Sequence, residues 1–424
     1  MKRKIIWILL LFLFFNCITI HATDNDEQLY KSLEIFSEVL RYIEKNYVTP
    51  QDPHKLIQNA IKGMVKELDP HSSYLTKEEH EELLIETKGS FTGIGIEITI
   101  RDNVLTVVSP IEGTPAYKAG LKAGDRIIKI DGVSTHDMTL MDAVKRIRGP
   151  KGTKVRLTII RKDEEKPLEF EIKRDVIPLK SVWAHPITKE IGYIRISSFQ
   201  GSTYKDLKRE LAKLKQNGDL KGLILDLRNN PGGLLSQAVK VADMFLSSGT
   251  IVLTKGRRDS DKMEFKAHSE KDDISQHLII LVNEGSASAS EIVAGALKDN
   301  HRAIILGTKT FGKGTVQTIL PLSDGSGLRL TTAMYYTPSG RSIQLTGIEP
   351  DITVELINPA KKEGKSKKRF REKDLQEHFI KDKRSKDISK KSQYYDKKAE
   401  DMIKRDNQIR YAFELLRSWD LFQR

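Results

Sequence analysis

Apolar residues in the first part of the chain fall at three- and four-residue spacing. Leu29, Leu33, Phe36, Val39, Leu40 and Ile43 form one stripe within a pattern that stays helical from 28 to 87, so an amphipathic helix is predicted. A second helix is predicted from about 54 to 68, closed by Asp69-Pro70-His71-Ser72-Ser73. From 89 to about 173 the period shortens to alternating strands separated by glycine turns. Gly93-Ile94-Gly95-Ile96-Glu97-Ile98 opens this stretch, a strand follows at 105–108, and Ala119-Gly120-Leu121 leads to a turn and strand running to Gly132. A short helix at 140–147 and a strand at 154–161 complete the unit.

Beyond 191 the pattern alternates between short apolar runs and helical stretches. Strands are expected at 191–196, 222–227, 278–282 and 303–306, with helices at 204–215, 234–245 and 288–298 between them. Such alternation predicts a largely parallel, buried sheet flanked by helices. Strands without helices follow near 315–320, 328–336 and 352–354, and no internal repeat stands out. The chain then turns Lys-rich until 409–422, where Tyr411, Leu415, Leu416 and Trp419 suggest a final docking helix.

The extreme N-terminus changes the picture. Met1-Lys2-Arg3-Lys4 is basic, residues 5–15 are unbroken apolar, and His21-Ala22 precedes the polar Thr23-Asp24. That order is a secretory signal with a cleavage point after Ala22. Retention as a membrane anchor and lipidation at Cys17 are the alternatives, although the apolar core is short for a span and Phe14-Phe15-Asn16 lacks the small residues of a lipidation site.

At 424 residues, two or three domains are expected. Hydrophobic residues at 38% suit core-forming domains, and a single Cys excludes both a disulfide scaffold and a zinc site built on several thiolates. The formal charge of +13 invites a nucleic-acid reading, but residues 358–424 hold 21 Lys and Arg against 12 Asp and Glu. The remainder is nearly balanced, so no specific nucleic-acid partner is expected. The basic tail suits either a solvated segment or contact with a membrane or another acidic surface.

Three stretches carry candidate chemistry. In Asn283-Glu284-Gly285-Ser286-Ala287-Ser288-Ala289-Ser290-Glu291 a strand ends in small residues and a helix starts at once. That geometry exposes a serine where N–H groups and the helix dipole stabilise an oxyanion, though serines also simply cap helices. Gly307-Thr308-Lys309-Thr310-Phe311-Gly312-Lys313-Gly314-Thr315 nearly spells a phosphate loop. Gly314 stands where a magnesium-binding hydroxyl is needed, and a strand rather than a helix follows, which argues against an ATPase. What remains is Lys313 between two glycines, where burial would favour the neutral amine and make it a base; an exposed, solubilising lysine fits the same residues. Finally, Asp226-Leu227-Arg228-Asn229-Asn230-Pro231-Gly232-Gly233 ends a buried strand in a turn whose N–H groups can line a cleft, or merely turn sharply. His268, His277 and His301 offer no competing triad, and no metal-ligand spacing or cofactor motif is present.

Two resemblances unite these stretches. The paired-glycine loop, the Ala119-Gly120-Leu121 turn and the 140–147 helix resemble a PDZ domain over 89–173. In such a domain the N–H groups of Gly93, Ile94, Gly95 and Ile96 would cradle a peptide's terminal carboxylate, the peptide adding as a strand beside 96–98. The full order of motifs, including Tyr335-Tyr336-Thr337-Pro338-Ser339-Gly340-Arg341, closely resembles the carboxyl-terminal processing peptidases from about 36 to 356.

The resemblance implies an α/β protease core with a crotonase-like βαβ sheet and extra strands, an inserted PDZ domain and a helical N-terminal region. It divides the chain into a signal at 1–22, helices at 23–88, PDZ at 89–173, core at 174–357 and a basic extension at 358–424. It implies an exported, cofactor-free serine endopeptidase in the periplasm or cell envelope that cleaves proteins with exposed C-terminal tails. Ser288 would be the nucleophile rather than Ser286 or Ser290, Lys313 the base and Gln317 its orienting partner. The oxyanion hole would be the N–H of Ala289 with that of Gly233 or Gly232. A homodimer through the N-terminal helices and a membrane association are further expectations.

Overall fold

The computed structural model describes residues 24–162, 164–270, 273–357 and 394–419. The signal assigned to 1–22, and Cys17 within it, lie outside the described residues, as does most of the basic extension. The chain divides into two compact units, Met1–Tyr74 and Leu75–Arg424.

In the first unit, helices Asp24–Asn46 and Pro53–Lys66 realise the predicted amphipathic pattern. Asp52 caps the second by accepting from the His54 N–H at 2.9 Å, with Pro53 at the first helical position where its missing N–H does no harm. The apolar stripe of the first helix is exposed: Leu29, Leu33, Phe36 and Val39 each keep 42–58% of their surface open.

The second unit opens with helix Lys77–Lys88, closed at both ends by local chemistry. Thr76 and Glu79 form a reciprocal capping box, and Gly89 stops the helix in the left-handed region. A two-stranded ribbon, Ser90–Gly93 against Asp175–Pro178, then carries the glycine-turn unit. That unit is a sheet ordered Ile96–Arg101, Val104–Pro110, Arg126–Ile130, Lys154–Ile160, Leu168–Lys173 around buried Ile94, Val107, Ile127, Leu157 and Ile159. Ile96–Arg101 lies at its edge, and helix Leu140–Ile147 packs nearby. Lys145 and Arg148, at the end of that helix, reach Glu78 and Glu82 on Lys77–Lys88 at 3.4 and 2.7 Å.

The core sheet runs Val182–Pro186, Ile191–Ile196, Gly222–Asp226, His277–Val282, Ile304–Gly307, Ile352–Thr353, parallel throughout except for its first pair. Strand alternation sends Leu223, Leu225, Ile280 and Val282 to one face, against helices Thr203–Gln216, Leu235–Asp243 and Ala289–Asp299. It sends Ile224, Ile279 and Leu281 to the other, where a C-terminal helix pair, Lys397–Arg405 and Asn407–Ser418, supplies Ile403, Ile409, Phe413 and Leu416. A second, antiparallel sheet orders Thr315–Pro321, Gly327–Tyr336, Thr250–Gly256 and Met263–Lys266.

Two expectations need correction. The extension from 358 is not merely a solvated basic tail, because its residues 397–418 complete the core; the expected last helix is joined by another before it. Second, sequence pattern passed over Val182–Pro186, an edge strand that ends in Pro, the four-residue edge strand Met263–Lys266, and the interior strand Thr250–Gly256 between Met263–Lys266 and Gly327–Tyr336.

Candidate active site

The parallel strands Gly222–Asp226, His277–Val282 and Ile304–Gly307 each end in a loop on the same side of the sheet, and these loops build the site. Ser288 sits between strand His277–Val282 and helix Ala289–Asp299 with φ +54° and ψ −112°. A non-glycine residue rarely adopts such a backbone, and this strained turn at the helix N-terminus, with Ser288 7% exposed, has the form of a nucleophile elbow. Ser288 and Glu291 are spaced as a capping box. The bond that is made, however, runs from the Ser288 N–H to Glu291 Oε2 at 2.8 Å, and the hydroxyl makes no cap hydrogen bond.

The rival serines have other work. Ser286 and Ser290 are fully buried, and their hydroxyls donate to the carbonyls of Leu227 at 2.8 Å and Asn230 at 3.0 Å. Both bonds tie the serine loop to the Asp226–Gly233 turn.

Asn230, which sequence reading did not single out, is the hub of that turn. Fully buried, it donates to the Ile196 carbonyl at 2.9 Å, while its own carbonyl accepts from the Ala287 N–H at 2.9 Å. Its side-chain oxygen accepts from the Gly232 N–H at 2.9 Å. The Gly232 N–H is therefore engaged inside the turn, which removes it from the oxyanion candidates. Gly233 keeps that place: a parallel bridge to Phe199 uses the Gly232 carbonyl and the Leu234 N–H, so the Gly233 N–H faces away from it. Gly232 must be glycine for another reason. Its φ is +103°, and a Cβ there would lie 2.9 Å from Ser288 Cβ and 3.0 Å from the Ala289 nitrogen. Turn and elbow are thus in direct contact.

Glu291 joins the third loop to the first. Its Oε1 accepts from Thr310 Oγ1 at 2.6 Å and the Gly312 N–H at 2.7 Å. Its Oε2 accepts from the Lys313 N–H at 2.9 Å as well as from that of Ser288. One buried oxygen thereby holds the backbones of the sequence-predicted nucleophile and base together, although they stand 25 positions apart. Burial pushes the Glu291 carboxyl above its ordinary value, against the pull of those four donors toward the charged form. Lys313 is half-buried, and the carbonyl of Gly314 beside it accepts from the Tyr335 N–H at 2.7 Å. Tyr335 is buried, and burial pushes its phenol up to about 12, against a smaller pull from the Ser288 side chain. Gln317 donates its amide to Thr315 Oγ1 at 2.7 Å.

In the PDZ-like unit, Gly93 ends the supporting ribbon, paired with Asp175, and so belongs to that ladder rather than to the loop proper. The loop is Ile94–Gly95, leading into the edge strand at Ile96. Its carbonyls are held from behind by the N–H groups of Ala116 and Ile111 and by Thr114 Oγ1, each within 3.0 Å.

An elbow serine, a lysine loop and a glycine turn thus meet at one end of the sheet, the kinds of group that acyl transfer uses. With the appended peptide-binding unit, they define a serine-type peptidase carrying a PDZ domain. Residues 190–354 match peptidase family S41, residues 106–161 a PDZ domain, and residues 17–79 the N-terminal domain of the activating protease CtpB. A carboxy-terminal-processing protease of Bartonella bacilliformis is 49% identical over 346 residues, covering 81% of this chain and 80% of its own. A Staphylococcus aureus protein named "Probable CtpA-like serine protease" is 42% identical over 326 residues, 76% of this chain but 65% of that protein's length. The solved photosystem II D1 C-terminal processing protease aligns with 76% of this chain and 92% of its own at 31% identity, TM-score 0.44. The chain belongs to peptidase family S41, and its relatives include carboxy-terminal-processing proteases.

Proposed function

We propose that this chain is an exported endopeptidase that captures the C-terminal tail of a protein substrate on its PDZ domain and cleaves it by a serine–lysine mechanism. The observation that carries the mechanism is the single Glu291 oxygen shared by the Ser288 and Lys313 N–H groups. Lys313, as the neutral amine, takes the Ser288 proton while Oγ attacks the scissile carbonyl. The N–H groups of Ala289 and Gly233 receive the oxyanion, and lysinium protonates the leaving amine. Water deprotonated by the same lysine then releases the acyl group, and the Gln317 carbonyl oxygen orients the amine.

The substrate carboxylate would rest on the Ile94–Ile96 N–H groups, with the tail added beside Ile96–Arg101, an edge strand with an open side. Export to the periplasm or cell envelope rests on the order of residues 1–22, and membrane association on the basic extension or a retained or lipidated N-terminus. The exposed stripe Leu29, Leu33, Phe36 and Val39 supports a homodimer through the N-terminal helices.

The test is mass spectrometry of the products from a substrate with an apolar C-terminal tail. Wild type is expected to release defined fragments, with Ser288→Ala and Lys313→Ala each losing at least ~10³-fold in rate. Fragments that persist unchanged in Lys313→Ala would exclude the lysine as base.

A further inference from the structure

Arg228 stands directly before the Asn229–Gly233 turn and is nearly buried. Its backbone N–H and Nε donate to Asp226 Oδ1 at 2.9 and 3.0 Å, and its Nη2 donates to Asp226 Oδ2 at 2.7 Å. Tyr193 donates to the same Oδ2 at 2.7 Å. Arg228 Nη1 leaves this cluster and reaches the C-terminal helix pair. It donates to Gln408 Oε1 at 2.7 Å and pairs with Asp406 Oδ2 at 2.9 Å.

The helix end that grips Arg228 is itself fixed. Asp406 Oδ1 caps helix Asn407–Ser418 by accepting from the N–H groups of Gln408 and Ile409 at 3.0 Å. Gln408 donates to the Val354 carbonyl at 2.6 Å, and Asn407 donates to that of Glu355 at 2.8 Å. Burial works against the charge on Arg228, but the bonds and charge of Asp226 outweigh it and leave the guanidinium above its ordinary value. A buried ionic cluster of this kind adds little net stability over an apolar replacement; its attested use is to specify one arrangement.

The arrangement specified here lies next to the chemistry. Leu227, between Asp226 and Arg228, accepts from Ser286 in the serine loop, and Asn229, just after, exchanges side-chain and backbone bonds with Asn283 at the end of strand His277–Val282. We infer that the C-terminal helix pair takes part in catalysis: by gripping Arg228 through Gln408 and Asp406, it fixes the Asn229–Gly233 turn against the Ser288 elbow. Arg228, Asp406 and Gln408 are then positioning residues for peptide hydrolysis. This inference rests on the oxyanion role proposed above for Gly233.

Rates are measured on the full chain and divided by the number of sites labelled exhaustively with a serine-directed fluorophosphonate. Gln408→Met is expected to lower kcat per labelled site about tenfold, with KM within twofold of wild type, because a displaced catalytic group acts on the transition state more than on binding. Asp406→Asn keeps the helix cap and removes the negative charge that faces Arg228, so a smaller fall in kcat, about three- to fivefold, is expected. Leu416→Ala loosens the same helices without touching Arg228; it should lower the melting temperature and leave kcat per site unchanged. A Gln408→Met enzyme with wild-type kcat, or one that behaves like Leu416→Ala, overturns the inference. Cleavage lost in Ser288→Ala but untouched in Gln408→Met overturns this inference alone, whereas cleavage that survives Ser288→Ala overturns the site reading and this inference with it.

Discussion

Under the function proposed above, two turns in this chain offer backbone N–H groups to a negatively charged oxygen, and they are built to different standards. The Ile94–Gly95 turn of the PDZ domain, in its proposed role, serves a carboxylate that is charged before it arrives. It is held from behind by two backbone bonds and by Thr114, whose hydroxyl donates to the Gly95 and Ile111 carbonyls. In its proposed oxyanion role, the Asn229–Gly233 turn serves an oxygen that becomes charged only in the transition state. It is braced by Asn230, by two buried serines, by Arg228 and by direct contact with the elbow. Ground-state binding tolerates small misplacement, whereas stabilisation of a developing charge depends on donors already in place. The density of buried polar bonds around each turn tracks that difference.

Breaking the catalytic turn should therefore cost rate, and breaking the PDZ turn should cost affinity. The largest effect is expected for Asn230→Ala, which frees the Gly232 N–H and leaves the Ile196 carbonyl without its partner. A fall in kcat of about 10²-fold with KM little changed is expected from steady-state kinetics on a tailed peptide. A KM effect alone would contradict the comparison.

Glu291→Gln comes next. The amide places a donor among four donors, so kcat should drop about tenfold. The pH profile sharpens the point. In wild type the carboxyl sits above its ordinary value because it is buried, so the acid limb of kcat should begin at a higher pH than for an ordinary glutamate. Glu291→Gln should remove that limb. Stability runs the opposite way. A carboxyl raised in the folded state contributes fully below its unfolded value, and that contribution is lost as pH rises through the folded one. Chemical denaturation at a series of pH values, wild type against Glu291→Gln, should show that slope in wild type alone.

The PDZ turn should respond more mildly. Gly95 has φ +78°, and a Cβ there would run into the Thr114 side chain, so Gly95→Ala should raise KM about tenfold for a tailed substrate. Its kcat should hold, and a substrate lacking the tail should show no change. Thr114→Val, which keeps the shape and loses the hydroxyl's two bonds, should raise KM only about two- to threefold.

The parts legible in the sequence were those whose chemistry repeats or needs a special residue. Strand–helix alternation marked the parallel core, because buried strands are continuous apolar runs. The serine stretch and Lys313 stood out as candidates because small residues surround them, and the family resemblance singled out Ser288. Asn230 and Glu291 were not, since each acts by accepting backbone N–H groups from loops far away in the chain, and no local spacing encodes that. Signals were nonetheless present: an Asn before Pro-Gly-Gly and a Glu at the third position of a helix whose cap is strained. Helix Lys397–Arg405 escaped notice because its polar residues dominate and it buries little more than Ala399 and Ile403. Gly232 misled because its N–H is spent on the Asn230 side chain within the turn, and its left-handed backbone is what demands glycine.

The bond between Arg228 and Gln408 joins residues 180 positions apart. Synthesis runs from the N-terminus, so the serine, the lysine and both N–H turns emerge well before the helix that steadies them. A chain interrupted ahead of Asp406 would possess the whole hydrolytic set yet lack the last piece that aligns it. Order of assembly thus becomes a safeguard: the blade is forged early, and its edge is set only when the helix that begins at Asn407 has been made.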